Sequence, residues 1–374
     1  MFNDLIYPLA LTRMTGFNFQ VALQLYCELG GAKAVYDHRH DIRDVLPDCS
    51  PRIAEALGDW SLALARAEQE LAFVEKHHIQ VLCHGDTLYP QRLADCIDAP
   101  IVLYYLGNAD LNQRRVVNIV GTRRCTAYGR DIIRRLVADL RQMCPEVLIV
   151  SGLAYGVDIC AHREALDQGY ATVGVLAHGL DDLYPPRHRD TAKAMVTHGG
   201  LLTEYMSETK VDKVNFVRRN RIVAGMCDAT ILVESASKGG GLITCRLAQD
   251  YGRSVFAFPG AVGAEYSAGC NNLIRDNVAQ LIVSADDFVQ FMGWHTDRQL
   301  HQAKARGIER DCFPQLTAEE EMVVRVLDEV GDCQLNILAV KTNMTVGAIT
   351  ALLFQMEMKG VVKPMAGGSY HLLK

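Results

Sequence analysis

Metal-binding thiol pairs, long apolar runs and an excess of positive charge are all missing from this 374-residue chain. Its twelve cysteines, Cys27, Cys83, Cys160, Cys245 and Cys333 among them, include no C-x-x-C spacing and no Cys/His cluster. That excludes a zinc ribbon or a thioredoxin-type redox motif, and the cysteines read as small buried residues of a reduced protein. No stretch approaches the roughly eighteen apolar residues of a membrane span. The first residues, Met1-Phe2-Asn3-Asp4-Leu5-Ile6, lack the basic-then-apolar order of a signal peptide. The expectation is a cytoplasmic protein with no membrane partner, no metal and no cofactor.

A formal charge of −6 argues against a protein coated in nucleic acid. The positive groups nevertheless cluster, at Arg114-Arg115, Arg123-Arg124, Arg130 to Arg141, Arg187 to Lys193 and Lys210 to Arg221. A local basic strip can hold a polyanion on an acidic protein, because binding follows the local field more than the net charge. The densest run is Arg218-Arg219-Asn220-Arg221, directly before Ile222-Val223-Ala224-Gly225. It reads as the start of a helix, where free backbone N–H groups favour anions, and so as a phosphate site in outline; the alternative is a solvated basic face.

With 49% hydrophobic residues the chain can bury a full α/β core and divides into several domains. Residues 1–60 read as short helical patterns broken at Gly16, Gly30-Gly31 and Pro47, a small all-α unit. Residues 61–294 begin with a helix over Ser61 to His77 and continue through candidate strands at Val81-Leu82-Cys83 and Ile101 to Tyr105. From Val116, apolar runs of strand length alternate with helix-length segments, at Val116 to Val120, Val147 to Val150, Thr172 to Leu176, Leu201-Leu202, Thr230 to Val233, Val255 to Phe258 and Leu281 to Val283. This is the pattern of a Rossmann-like, doubly wound parallel sheet. Residues 295–314 are polar and weakly patterned and read as a linker. In residues 315–374 a capping box at Thr317 to Glu320, three helical patterns and a hairpin closed by Ala366-Gly367-Gly368 suggest a winged helix.

Each strand of the central domain ends in a turn of small residues, where an open α/β sheet binds its ligand. The first, Val120-Gly121-Thr122-Arg123-Arg124, is not G-x-G-x-x-G, and no acidic residue follows at the ribose position of a dinucleotide fold. The second, Ser151-Gly152-Leu153-Ala154-Tyr155-Gly156-Val157-Asp158, precedes a helix carrying His162. Asp158 and His162 lie four apart on one helical face; two metal ligands or an acid-base pair are possible, but without a third ligand or a nucleophile the favoured reading is a local Asp-His hydrogen bond that locks the turn. Later turns carry Tyr184-Pro185-Pro186-Arg187 and Lys238-Gly239-Gly240-Gly241-Leu242-Ile243-Thr244. Three glycines let a phosphate approach the backbone, and the helix from Leu242 offers N–H donors. The G-K-[ST] ending of a P-loop is missing, which argues against triphosphate hydrolysis. Donors and arginines without a nucleophile, metal set or general base bind phosphates and leave them intact, so a single-stranded nucleic acid crossing the rim fits this inventory.

In order, these blocks resemble the DNA-processing protein A family (DprA, also called Smf), recombination mediators of bacterial natural transformation. The matching blocks are Val120 to Arg123 with Tyr128-Gly129, Ser151 to Asp158 with Ala161-His162, Gly179-Leu180-Asp181 with Tyr184-Pro185, Phe216 to Arg221, Gly240 to Thr244, Gly252-Arg253, Pro259-Gly260 and Gly269 to Ile274. The resemblance implies an extended Rossmann domain that binds single-stranded DNA, forms a homodimer, shields the strand from nucleases and loads the RecA recombinase. Carried over by motif, the DNA contacts are Gly121, Thr122 and Arg123, Ser151 and Gly152, Arg218 to Arg221 including Arg219 and Asn220, and then Arg187, Lys238, Gly240 and Gly241. Val217, Thr203 and Gly239 depart from the family's usual proline and serines. Residues 1–60 resemble the family's small N-terminal helical domain, of sterile-alpha-motif or helix-hairpin-helix type, in which the Thr15-Gly16-Phe17-Asn18 turn serves either phosphate contact or structure. The C-terminal unit resembles its winged helix, which serves either DNA or partner contact. Two other function classes remain in view: a phosphoribohydrolase-like enzyme, which needs an acidic residue after the glycine turn that Leu242 to Leu247 does not supply, and a mononucleotide sensor.

Overall fold

The computed structural model describes residues 2–14, 16–294, 316–331, 333–359, 361–365 and 369–372, and the chain divides into two compact units, Met1–His295 and Thr296–Lys374. The expected linker over 295–314 and the hairpin turn at Ala366-Gly367-Gly368 lie outside the described residues.

Unit one opens with helices α1 (Phe2–Leu11), α2 (Phe19–Glu28), α3 (Ala32–Asp37), α4 (Ile42–Val45), α5 (Pro51–Ala56) and α6 (Ser61–Lys76). The breaks fall at the glycines and proline that the sequence flags, and Asn18 and Ser50 cap α2 and α5 through their side chains. Leu9, Val35, Leu57, Trp60 and Val74 of this helical group share one apolar cluster with Val102, Tyr104 and Met206 of the following sheet region. Residue 60 therefore marks a change of texture within a shared core, and the helical group packs as part of the larger unit.

A nine-stranded sheet follows, from β1 (Gln80–Cys83), β2 (Val102–Gly107), β3 (Val116–Val120), β4 (Leu148–Ser151), β5 (Thr172–Val175), β6 (Gly199–Thr203), β7 (Ala229–Leu232), β8 (Ser254–Ala257) and β9 (Gln280–Leu281). The strand order is β1-β2-β6-β5-β4-β3-β7-β8-β9; the β1–β2 and β2–β6 pairings at one edge are antiparallel, and the other pairings of this sheet are parallel. Central strands are buried on both faces, which is why they read as continuous apolar runs. Side chains alternate between faces: Val116 and Val120 of β3 join one core, Val117 and Ile119 the other. With the short α7 (Gln91–Ala94) following β1 and α10 (Arg189–Thr197) preceding β6, helices α8 (Ala127–Met143) and α9 (Val157–Asp167) cover the second face, while α11 (Lys213–Gly225) and α12 (Gly241–Asp250) cover the first. Inside the β3 run Asn118 is fully buried, its amide donating to Thr230 Oγ1 at 2.8 Å and to the Val223 carbonyl at 3.1 Å. It fastens α11 to the sheet between β3 and β7.

Unit two holds helices Ala318–Val330, Leu335–Thr342 and Val346–Met358 around Val323, Leu327, Leu338, Ile349 and Leu353. Strands Val362–Met365 and Ser369–Leu372 form a hairpin, and a two-residue strand at Cys333–Gln334 joins its edge. So short a strand leaves no period to read in sequence. The capping box is present: Thr317 Oγ1 accepts from the Glu320 N–H at 3.3 Å, and the Glu320 carboxylate accepts from the Thr317 N–H at 2.8 Å and from Lys359 at 2.6 Å. Among the described residues no single helix is long and apolar enough to cross a membrane.

Candidate nucleic-acid interface

Chain connections reverse direction at β3. From there the chain moves strand by strand to β4, β5 and β6, then returns to place β7 on β3's other side. The loops leaving the carboxyl ends of β3 and β7 therefore diverge, and a crevice opens between them. It is a cleft of about 260 Å³ lined by Gly121, Thr122, Arg123, Gly152, Asp158, Phe216, Arg219, Asn220, Gly240 and Gly241, among others.

Two glycines set its depth. A Cβ on Gly241 would stand 2.8 Å from Leu232 Cδ1 and 3.3 Å from the Gly121 Cα, and one on Gly121 would meet Val157 Cγ2 at 2.6 Å and the Glu234 carbonyl at 2.7 Å. Bare backbone is needed where these turns touch. Helix α12 begins here, and the Gly240 and Gly241 N–H groups have no hydrogen-bond partner among the described residues. With the positive end of the helix dipole they form an anion-attracting wall.

The opposite wall is α11. Phe216 is half-buried at the cleft, with the Arg123 guanidinium 5.2 Å from its ring centroid and Tyr184 edge-on at 5.8 Å. Sequence reasoning placed Phe216 in a motif without giving it a role; its position one helical turn before Arg219 and Asn220 was the available signal. An aromatic face under an exposed guanidinium suits a stacked base with its phosphate.

Arg219 forms the floor. It is 3% exposed, and its guanidinium donates to the Gly152 carbonyl at 2.6 Å and to the Val175 carbonyl at the end of β5. Burial pushes its pKa below the ordinary value against the pull of Asp158, and burial likewise raises the Asp158 carboxyl against the pull of Arg219. Asp158 accepts from the N–H groups of Gly152 at 3.2 Å and Ala154 at 3.4 Å. The second glycine turn is thus wired internally, with the Gly152 and Ala154 amides both committed to Asp158.

Several expectations need correction. The arginine run does not start its helix: α11 begins at Lys213 under an Asp212 cap, so residues 218–221 lie beyond its first turn, where backbone N–H groups are already bonded within the helix. Nor do the four residues share a rim. Arg221 is 5% exposed and paired with Glu204, Arg219 faces inward, Asn220 lines the cleft, and exposed Arg218 lines a different cleft on the other flank of α11. Ser151 is fully buried, and its hydroxyl donates to the Ile119 carbonyl at 2.7 Å, which ties β4 to β3. Arg187 and Lys238 are exposed on neighbouring loops but do not line the crevice. Asp158 and His162 do not bond to each other: His162 Nδ1 donates to Thr172 Oγ1 at 2.7 Å, since that hydroxyl already donates to the Ile149 carbonyl. Burial lowers the His162 pKa to about 3, so the ring is neutral. Gly239 fills no vacancy: a Cβ there would collide with Ser235 Oγ.

Glu234 joins the two rims. Its carbonyl accepts from the Thr122 N–H at 2.7 Å, and its carboxylate accepts from the Thr126 N–H at 2.8 Å and the Thr126 hydroxyl at 2.6 Å. Both carboxylates beside the glycine turns, Asp158 and Glu234, are therefore engaged by protein donors. Among the described residues no group of three His, Cys, Asp or Glu side chains is placed to hold a metal ion.

A family model, DNA recombination-mediator protein A, matches residues 80–293, which span the whole sheet and this crevice. The chain belongs to that family. It is 38% identical over 202 residues to the DNA processing protein DprA of Streptococcus pneumoniae, covering 54% of this chain and 70% of that protein. It is 36% identical over 222 residues to the DprA of Bacillus subtilis, covering 59% and 73%, and 29% identical over 310 residues to the protein Smf of Escherichia coli, covering 82% and 80%. Among solved structures, the S. pneumoniae DprA superposes with a TM-score of 0.58 at 30% identity, covering 74% of this chain and 98% of that one. A Helicobacter pylori DprA, described for its single-stranded DNA binding mode, superposes with a TM-score of 0.52 at 30% identity, covering 58% and 97%. The N-terminal helices before residue 80 and all of unit two lie outside the family match.

Proposed function

We propose that this protein is a recombination mediator that binds single-stranded DNA at the β3/β7 crevice, protects it and loads RecA onto it during natural transformation. The carrying observation is the crevice's make-up: open glycine N–H groups on one wall, and Arg123 over Phe216 beside Asn220 on the other. Such a wall holds a sugar-phosphate chain by charge and amides and its bases by stacking, with little sequence reading. Family membership supports this reading, as does the single-stranded DNA binding named for the H. pylori relative. The protein acts by binding and not as an enzyme, as a homodimer in the cytoplasm.

Binding of labelled oligothymidylate by Arg123→Ala and Phe216→Ala proteins tests this. Both variants should lose affinity while keeping the wild-type melting temperature, and wild-type affinity should fall steeply with salt. RecA filament assembly on strand coated with single-strand-binding protein should be slow with either variant. Wild-type affinity in both variants would overturn the assignment. For unit two we propose a winged helix that contacts a partner or a second protomer, since its helix Val346–Met358 exposes Val346, Phe354 and Met358 and carries no basic residue. Deletion of 315–374 should change the sedimentation mass or RecA loading with oligothymidylate affinity retained.

A further inference from the structure

A second cleft, of about 490 Å³, lies on the other flank of α11, between it and the N-terminal helices. Its lining includes Arg13, Phe17, Phe19, Asn215, Tyr205 and Arg218. Arg13 and Arg218 are exposed, and neither guanidinium has a hydrogen-bond partner among the described residues, although Arg218 acts electrostatically on Glu204. The one carboxylate in the lining, Glu204, is already paired with Arg221, which itself stacks on Phe19 at 4.9 Å. Two exposed guanidinium groups without a hydrogen-bonded partner thus stand beside aromatic faces, with the Glu204 charge already offset by Arg221.

Helix geometry links the two clefts. Residues advance by about 100° along an α-helix, so Asn215 and Arg218 share one flank while Phe216, Arg219, Asn220 and Val223 share the other. Val214 and Val217, both exposed and uncharged, form the ridge between them. A helix with its side chains is about 10–12 Å across, a span that a stretched strand covers in a few nucleotides. We propose that the second cleft is a subsite for the same strand: DNA leaving the β3/β7 crevice crosses the valine ridge and delivers a further nucleotide unit, its phosphate to Arg13 and Arg218 and its base to the aromatic lining. This rests on the single-strand reading given above. It gives the N-terminal helical group a role in the length of strand covered.

Titration of oligothymidylates from about 4 to about 16 nucleotides separates the two readings. An Arg13→Ala/Arg218→Ala protein should match wild type on the shortest oligonucleotides and fall at least about tenfold behind on the longest. On long strands its log–log salt slope should be shallower by about 1.4, two single-strand phosphate contacts at about 0.7 each. Arg13→Lys/Arg218→Lys should restore most of the loss, because lysine keeps the charge. Arg123→Ala should be weak at every length. If the double alanine variant follows wild type at all lengths and salt concentrations, the subsite is wrong while the crevice stands; if Arg123→Ala also follows wild type, the crevice assignment fails too. Thymidine monophosphate that saturates the second cleft, with no gain in affinity on lengthening the strand, would overturn the subsite in favour of a free-nucleotide site.

Discussion

Replacing Arg219 by alanine should unfold the protein more than it weakens DNA binding, the reverse of what its place in a basic run suggests. The guanidinium is buried, donates to two carbonyls from different strand ends and offsets the buried Asp158 carboxylate. A hydrogen bond to a charged group contributes about 1.5–3 kcal/mol, and removing one partner of a buried charge pair costs about 3–5 kcal/mol. These effects describe the same side chain and do not add, so the expected loss is about 3–5 kcal/mol, a large part of the 5–15 kcal/mol that holds a typical domain. Urea unfolding followed by far-ultraviolet circular dichroism should show the midpoint falling by more than about 1 M, given slopes of about 1–3 kcal/mol per molar. Asp158→Asn in the Arg219→Ala background should recover part of the loss by removing the uncompensated charge. Arg123→Ala, whose side chain is exposed, should stay within about 0.5 kcal/mol of wild type. A midpoint for Arg219→Ala within about 0.5 M of wild type would refute the structural role argued for this residue.

Phe216→Ala should lower oligothymidylate affinity by about 1–3 kcal/mol per stacked base, as measured by fluorescence anisotropy, with little change in salt slope because no charge is removed. Gly121→Ala should destabilise by about 1–3 kcal/mol and impair binding, since its Cβ meets both Val157 and the Glu234 carbonyl; unfolding midpoint and affinity measured on one preparation check both. His162, with its pKa lowered to about 3 from an ordinary 6.5, makes stability fall as pH drops from about 6.5 toward 3: the unfolded chain takes up a proton that the folded chain refuses. The slope from this group is at most about 1.4 kcal/mol per pH unit, and His162→Gln should flatten the acid limb of the urea midpoint against pH by that amount.

The sheet was legible because parallel strands covered on both faces must be apolar at every position, and β3 occupies Val116–Val120 as its run suggests. The crevice was legible as well, since glycine turns after β3 and β7 have few other reasons to be so bare. The direction of each arginine was not. Residues 218 to 221 sit side by side in sequence, but successive helical side chains point about 100° apart, so a charge cluster in the chain becomes one exposed cation, two interior ones and an amide facing separate places. The placement of Ser151 was hidden for a related reason: a polar residue at a strand end can face a ligand or a neighbouring strand, and its hydrogen bond to the Ile119 carbonyl at 2.7 Å is not encoded in the local sequence. The partners of Asp158 and His162 come from a turn amide and a distant strand, which helical spacing does not encode.

Glu234 leaves the Gly-Thr-Arg loop and the end of β7 little freedom to move apart, because one residue bonds to Thr122 through its carbonyl and to Thr126 through its carboxylate. These bonds brace that part of the crevice before any ligand arrives, so on the single-strand reading proposed above more of the ordering entropy lost on association falls on the polymer. On that same reading, a stiffer or pre-stacked strand such as oligodeoxyadenylate should resist being threaded through the notch where limp oligothymidylate yields, so that composition would be discriminated through chain flexibility, without any base edge being read.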